Sequence, residues 1–113
     1  MNDLYLRFLR IVQTLDGRKN ITTNIDVTAL QLLNEIAVQH FAGETLTVSQ
    51  AIALKKIASP ATLHRKLDEL REGGLIEQTF EGKNRRTKFL VPTKAANTYF
   101  DKMSGAMHSA LNS

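Results

Sequence analysis

Two clusters of basic side chains stand out in the stretch ASPATLHRKLDELREGGLIEQTFEGKNRRTKFLVPT, residues 58–93: His64, Arg65 and Lys66, then Lys83, Arg85, Arg86 and Lys88. Neither cluster has the nucleophile, base or acid partner that covalent or proton-transfer chemistry needs. What such residues do by themselves is hold anions, with guanidinium groups forking onto phosphate or onto base edges. The charge order within the first cluster is informative. The segment reads as a helix, yet its cations come first and Asp68, Glu69 and Glu72 follow, against the preference of the helix macrodipole. An element that enters a polyanion by its N-terminal half would profit from that order, because the carboxylates then stay outside. Nucleic acid is the implied anion.

The elements that must position these residues can be read in turn. Leu4, Phe8, Ile11 and Leu15 make one helical stripe, with Tyr5 and Val12 beside it and Leu6 and Leu9 on other faces, before Asp16-Gly17 stops the helix and RKNITTN forms a loop. Asp26 is placed to cap a second helix over about 27–41, where Leu30, Leu33, Ala37 and Phe41 share a face and Leu32 and Ile36 lie elsewhere. A helix apolar on more than one side is expected to be central. Gly43 closes it. Thr47 through Gln50 has the form of a capping box and opens a short helix over about 48–54. After the turn Lys55-Lys56-Ile57-Ala58, Ser59-Pro60 fixes the start of the next helix, whose core face is Leu63, Leu67 and Leu70 and which stops at Gly73-Gly74. On its wheel Ala61 and Arg65 point away from the leucines, with Thr62 and Lys66 to one side and His64 to the other.

From Leu75 the period changes from helical to alternating, and LIEQTF and RTKFLV flank a Gly82-containing turn as a β-hairpin. Alternation puts Arg86, Lys88 and Leu90 on one face and Arg85, Thr87 and Phe89 on the other, with Phe89 expected toward the core. Pro92-Thr93 starts a last helix, striped by Ala95, Tyr99, Met103, Ala106 and Ala110 and flanked by Ala96, Phe100 and Met107. The expected fold is mainly α with a small β-hairpin wing, a winged helix-turn-helix in a single domain over 1–113. Its DNA-binding core covers about 26–93, and terminal helices over about 3–15 and 94–111 form a dimerisation region.

The same residues resemble a known family. From about Leu46 to Tyr99, and more loosely over the whole chain, the sequence is similar to the MarR family of bacterial transcription regulators. SPATLHRKLDELREGGLI resembles that family's recognition helix and its Gly-Leu-Ile exit. Asn84-Arg85-Arg86-Thr87-Lys88 through Val91-Pro92-Thr93-Lys94 resembles its wing. The resemblance implies that Arg86 is the wing arginine that reaches the minor groove, and that the terminal helices build a homodimer. Asn84 stands where aspartate is usual and Ala96 where glycine is usual, and the chain is short for the family.

The sequence with its resemblance therefore leads to a sequence-specific regulator of double-stranded DNA, a repressor acting as a homodimer. The expected DNA-contacting residues are Ser49, Ser59, Pro60, Ala61, Thr62, His64, Arg65, Lys66, Lys83, Asn84, Arg85, Arg86 and Lys88. Among these, Thr62 and Arg65 are expected at base edges and Ser59 and Lys66 at phosphate. Lys55 and Lys56 either touch phosphate or form a polar turn. The alternative is a winged-helix interaction module for protein or RNA. A net charge of +4 and a pI near 9.6 suit an anionic partner. The absence of cysteine excludes disulfides and thiolate metal sites. His40, His64 and His108 are scattered, so neither a metal site nor a cofactor is expected, and Ser49 and Ser59 read as helix starts, so no enzyme activity is expected. No run is apolar enough for membrane insertion or a signal peptide, which makes the cytoplasm the expected location. A small-molecule effector is left open: Tyr99, Phe100, Met103 and Met107 either line a pocket or pack as a stripe, and their helical spacing favours packing.

Overall fold

The computed structural model describes residues 2–15 and 26–112. The helix stop at Asp16-Gly17 and the RKNITTN loop lie outside the described residues, as do the side chains of Leu15 and Asn84. In chain order the elements are α1 (Asn2–Leu15), α2 (Val27–Phe41), α3 (Val48–Ile52), α4 (Pro60–Glu72), β1 (Ile76–Glu81), β2 (Asn84–Pro92) and α5 (Lys94–Asn112).

Local signals set most of the boundaries. Asp26 accepts the Ala29 amide at 2.8 Å and caps α2. At α3 the capping box is complete, with the Gln50 amide donating to Thr47 Oγ1 at 3.1 Å and the Thr47 amide donating to Gln50 Oε1 at 2.9 Å. Ser59 caps α4 by accepting the Thr62 amide at 3.3 Å, and Pro60 occupies the first turn, where its missing N–H costs nothing. The far end of α4 closes as a Schellman motif. Gly74 takes φ +76, its amide bonds to the Arg71 carbonyl at 3.0 Å, and the Leu75 amide bonds to the Leu70 carbonyl at 2.9 Å. Only glycine enters that left-handed conformation without strain, and the motif brings buried Leu75 back onto buried Leu70.

The core lies between α2, α3, α4 and the base of the hairpin. Ala29, Leu32, Leu33 and Ile36 of α2 meet Ala51 of α3, Leu63, Leu67 and Leu70 of α4, then Leu75, Ile76, Leu90 and Ala96. Full burial of each large aliphatic side chain contributes about 1.5–3 kcal/mol. Helix α2 is central as expected, but its exposed side includes Phe41, which is 70% accessible, so Phe41 does not share in the core.

Thr93 joins the exit of α4 to the start of α5. Its hydroxyl donates to the Gly74 carbonyl at 2.6 Å and accepts the Ala96 amide at 3.2 Å, while its own amide donates to the Leu75 carbonyl at 3.0 Å. Thr93→Val keeps the shape and removes both hydroxyl bonds, and is expected to lower stability by roughly 1–2 kcal/mol. Urea unfolding reads this as a lower midpoint at an unchanged slope; an unmoved midpoint would dismiss the tie as incidental.

Helices α1 and α5 pack together as an arm on this core. Of α5, Ala96, Tyr99, Ala106 and Ala110 are buried and Phe100 packs against the core cluster, whereas no described side chain of α1 is fully buried. Leu6 at 58%, Met107 at 57% and Leu111 at 63% exposure stay in solvent. Phe100 thus has a place on the core, whereas Leu6 and Leu111 do not. The arm also explains an extended shape: the Cα radius of gyration is 15.4 Å, against about 13 Å for a compact chain of roughly this size.

Candidate nucleic-acid interface

Helices α3 and α4, with the turn over 55–57 between them, make the helix-turn-helix, and the antiparallel hairpin β1–β2 makes the wing. The buried leucine face of α4 leaves Pro60, Ala61, His64 and Arg65 exposed and Thr62 half-buried. Arg65 forms no ion pair among the described residues. Ser59 donates its hydroxyl hydrogen to Thr62 Oγ1 at 3.0 Å, so the Thr62 hydroxyl keeps its own hydrogen for another acceptor. His64 Nδ1 lies 3.7 Å from Asp68 one turn on, and Asp68 also meets Arg71 at 3.4 Å. Those pairs answer part of the charge order along α4 from within the helix itself.

Lys66 is engaged within the fold. Its ammonium bonds the Asp26 carboxylate and lies 3.2 Å from Glu69 Oε2, and its side chain is only 11% exposed. A lysine that meets two carboxylates presents little charge outward, and in this structure Lys66 ties α2 to α4. The pairing holds Asp26 below the usual carboxylate range, first through the Lys66 hydrogen bond and then through the Ala29 amide. It raises Lys66 above the usual ammonium range, first through Asp26 and then through Glu69. The signs agree: the stabilisation is complete between the ordinary carboxylate and ammonium values. It is lost as pH falls through the depressed Asp26 value or rises through the elevated Lys66 value.

The wing is less regular than simple alternation. Ile76 through Thr79 pair with Pro92 back to Phe89, but pairing resumes only at Glu81 with Asn84, so Arg85 to Lys88 face the single residue Phe80 across a bulge. The Arg85 guanidinium sits 5.2 Å from the Phe80 ring centroid, a cation–π placement at the wing tip. Arg86, Thr87 and Lys88 instead line a groove with Thr47, Val48 and Ser49 at the start of α3. Lys83 is exposed in the turn. Leu90 enters the core and Phe89 is half-buried on the opposite side, beside His40, Thr45, Thr79, Phe80 and Val91. The expected inward direction of Phe89 is thus corrected by one residue.

The groove has a cause that the sequence did not signal. The connector before α3 pairs with β2, with the Leu90 amide donating to the Leu46 carbonyl at 2.8 Å and Thr47 bridging Phe89. This stitches the first turn of α3 to the wing and sets Ser49 beside Arg86 and Lys88. Lys55 is exposed in the turn, and Lys56 lies next to Gln31, Asn34 and Glu35 of α2. Among the described residues no group of three or more metal-ligating side chains gathers, and no helix is long and apolar enough to cross a membrane.

No family model and no curated protein sequence matches the chain. Solved structures do. The chain is similar to the transcriptional regulator Tm0710 from Thermotoga maritima, at 13% identity and a TM-score of 0.65, over 96% of this chain and 68% of that one. It is similar to MarR at 19% identity and a TM-score of 0.57, over 96% and 76% of the two chains. It is also similar to Streptococcus pneumoniae FabT, solved in complex with DNA, at 20% identity and a TM-score of 0.60, over 95% and 68%. The likeness is one of fold, and the fold is the winged helix-turn-helix that the resemblance implied.

Proposed function

We propose that this chain, which shares its fold with solved transcription regulators, is a sequence-specific double-stranded DNA-binding regulator that acts as a homodimer and as a repressor. The observation that carries the reading is the pairing of two basic surfaces: the exposed N-terminal half of α4 with His64 and Arg65, and the wing residues Arg86 and Lys88 beside Ser49. In the reading, α4 enters the major groove with its N-terminal half leading. Thr62 and Arg65 address base edges, with His64, Ala61 and Pro60 against the groove wall. Ser49, Ser59, Lys83 and Lys88 hold phosphates, and Arg86 reaches the adjoining minor groove, with Asn84 and Arg85 near the turn. Repression is the simpler output, since occupancy of a site is enough to exclude other proteins from it. No catalytic step is part of the reading, and a soluble location in the cytoplasm goes with it.

The deciding experiment is selection of bound fragments from the source genome followed by sequencing. A palindromic consensus whose occupancy falls steeply with salt, through counterion release, is the expected result. Binding to protein or to RNA without a consensus would overturn it in favour of an interaction module.

The wing separates two arginines. Arg86→Ala is expected to cost roughly 1–3 kcal/mol, the range for a specific arginine contact, and most on sites with A·T-rich flanks, whose narrow minor groove attracts arginine. Arg85, held over Phe80, should lose less on replacement by alanine, and evenly across flanks. Fluorescence anisotropy on paired A·T- and G·C-flanked sites measures both; flank dependence that follows Arg85 would reverse the assignment.

A further inference from the structure

A single carboxylate does two jobs where α2 meets α4. Asp26 Oδ1 accepts the Ala29 amide at 2.8 Å, while Oδ2 takes the Lys66 ammonium across a separation of 40 residues in sequence. Because the cap fixes the carboxylate, its second oxygen has a set direction, and Lys66 must come to it. Lys66 adjoins Arg65, the exposed cation of the same turn, and its other carboxylate is Glu69 of its own helix at 3.2 Å. The leucine face fixes how α4 packs along its length. A leucine ridge alone still tolerates small rotations about the helix axis, and such rotations are what would carry Arg65 off a base edge.

We propose that Asp26 is a positioning residue for sequence recognition: by gripping Lys66 it fixes the rotation of α4 against α2, and so sets where Thr62 and Arg65 point. The proposal rests on the DNA-binding reading above. It assigns Lys66 a part in selectivity and none in general attraction to phosphate. The lowered protonation range of Asp26 agrees, since both oxygens are engaged by donors. Groups that must read base edges need placement within about half an ångström, and the Asp26–Lys66 pair is the side-chain bond that ties the turn of Arg65 to α2.

The test compares the unsubstituted protein with Asp26→Asn, Lys66→Met and the double variant, on the selected site and on unrelated duplex, over a salt series. Asparagine keeps an N-cap acceptor and methionine keeps the apolar stem, so circular dichroism should show the fold retained in each. The expected result is that each single change, and the double change alike, lowers the ratio of specific to non-specific affinity by roughly tenfold, as coupled neighbours do. The salt slope should stay unchanged. A slope reduced by about 0.9 in Lys66→Met, the value for one lost phosphate contact, with equal weakening on both duplexes, would overturn the proposal; so would an unaltered ratio in Asp26→Asn. Sequence-selective binding by the unsubstituted protein, untouched by these changes, overturns this inference alone. If the unsubstituted protein shows no selective binding, the regulator reading falls and this one with it.

Discussion

Leu6→Glu and Leu111→Glu should each convert a dimer into a monomer in sedimentation velocity and weaken binding to a palindromic site by roughly 10²–10⁴-fold, the factor that linked binding supplies. The physical reason lies in the arm. Helix α1 packs against α5, in which Ala106 and Ala110 are buried, but is itself nowhere fully buried among its described side chains, and a helix of its length is marginal without a packed face. Leu4, Tyr5, Phe8, Met107, Ala110 and Leu111 line an apolar cleft of about 360 Å³ along it. A second copy related by a two-fold axis would cover the same surface on both protomers and set two α4 helices about one DNA turn apart, roughly 34–36 Å. Leu6 and Leu111 are the positions for the test because they support no core of their own, so a charge there leaves the protomer's fold within about 0.5 kcal/mol. Tyr99 would be a poor choice: it is only 8% exposed within its own chain, and a charge there attacks the fold. Binding to an isolated half-site should be unchanged by either substitution. Sedimentation showing a monomer for the unsubstituted protein at micromolar concentration would remove the arm as an interface.

Arg65→Ala should raise the dissociation constant on the preferred site by roughly 1–3 kcal/mol of free energy and relax preference at one base position. The side chain is exposed, forms no ion pair among the described residues and lies in the half of α4 away from Asp68, Glu69 and Glu72. A guanidinium so placed has its fork available for a guanine edge. Lysine at the same position should recover the attraction to phosphate and little of the preference, because it lacks the planar fork. Randomised-site selection on Arg65→Ala and Arg65→Lys separates the two. Equal weakening on all sequences would make Arg65 a phosphate ligand.

The sequence alone determined the elements whose signals are local. Ser59-Pro60 and Gly73-Gly74 bounded α4, the four-and-three leucine spacing set its buried face, and Thr47 to Gln50 marked the start of α3, because caps and helical periodicity are settled among residues a turn apart. The hairpin and the order of elements were legible for the same reason. What needed the tertiary structure were contacts between residues distant along the chain and directions that local pattern leaves degenerate. Phe89 and Leu90 are both apolar, so alternation is consistent with either facing inward, and a one-residue choice inverts every neighbour; the packing of β2 on the core chose Leu90. The bulge at Arg85 to Lys88 and the bridge from Thr47 to Phe89 arise from pairing partners that no local spacing announces. Lys66 looked like one more cation in a basic run until the fold set it against Asp26. A charge is assigned its role by what lies across from it, and that is decided only when the chain has folded.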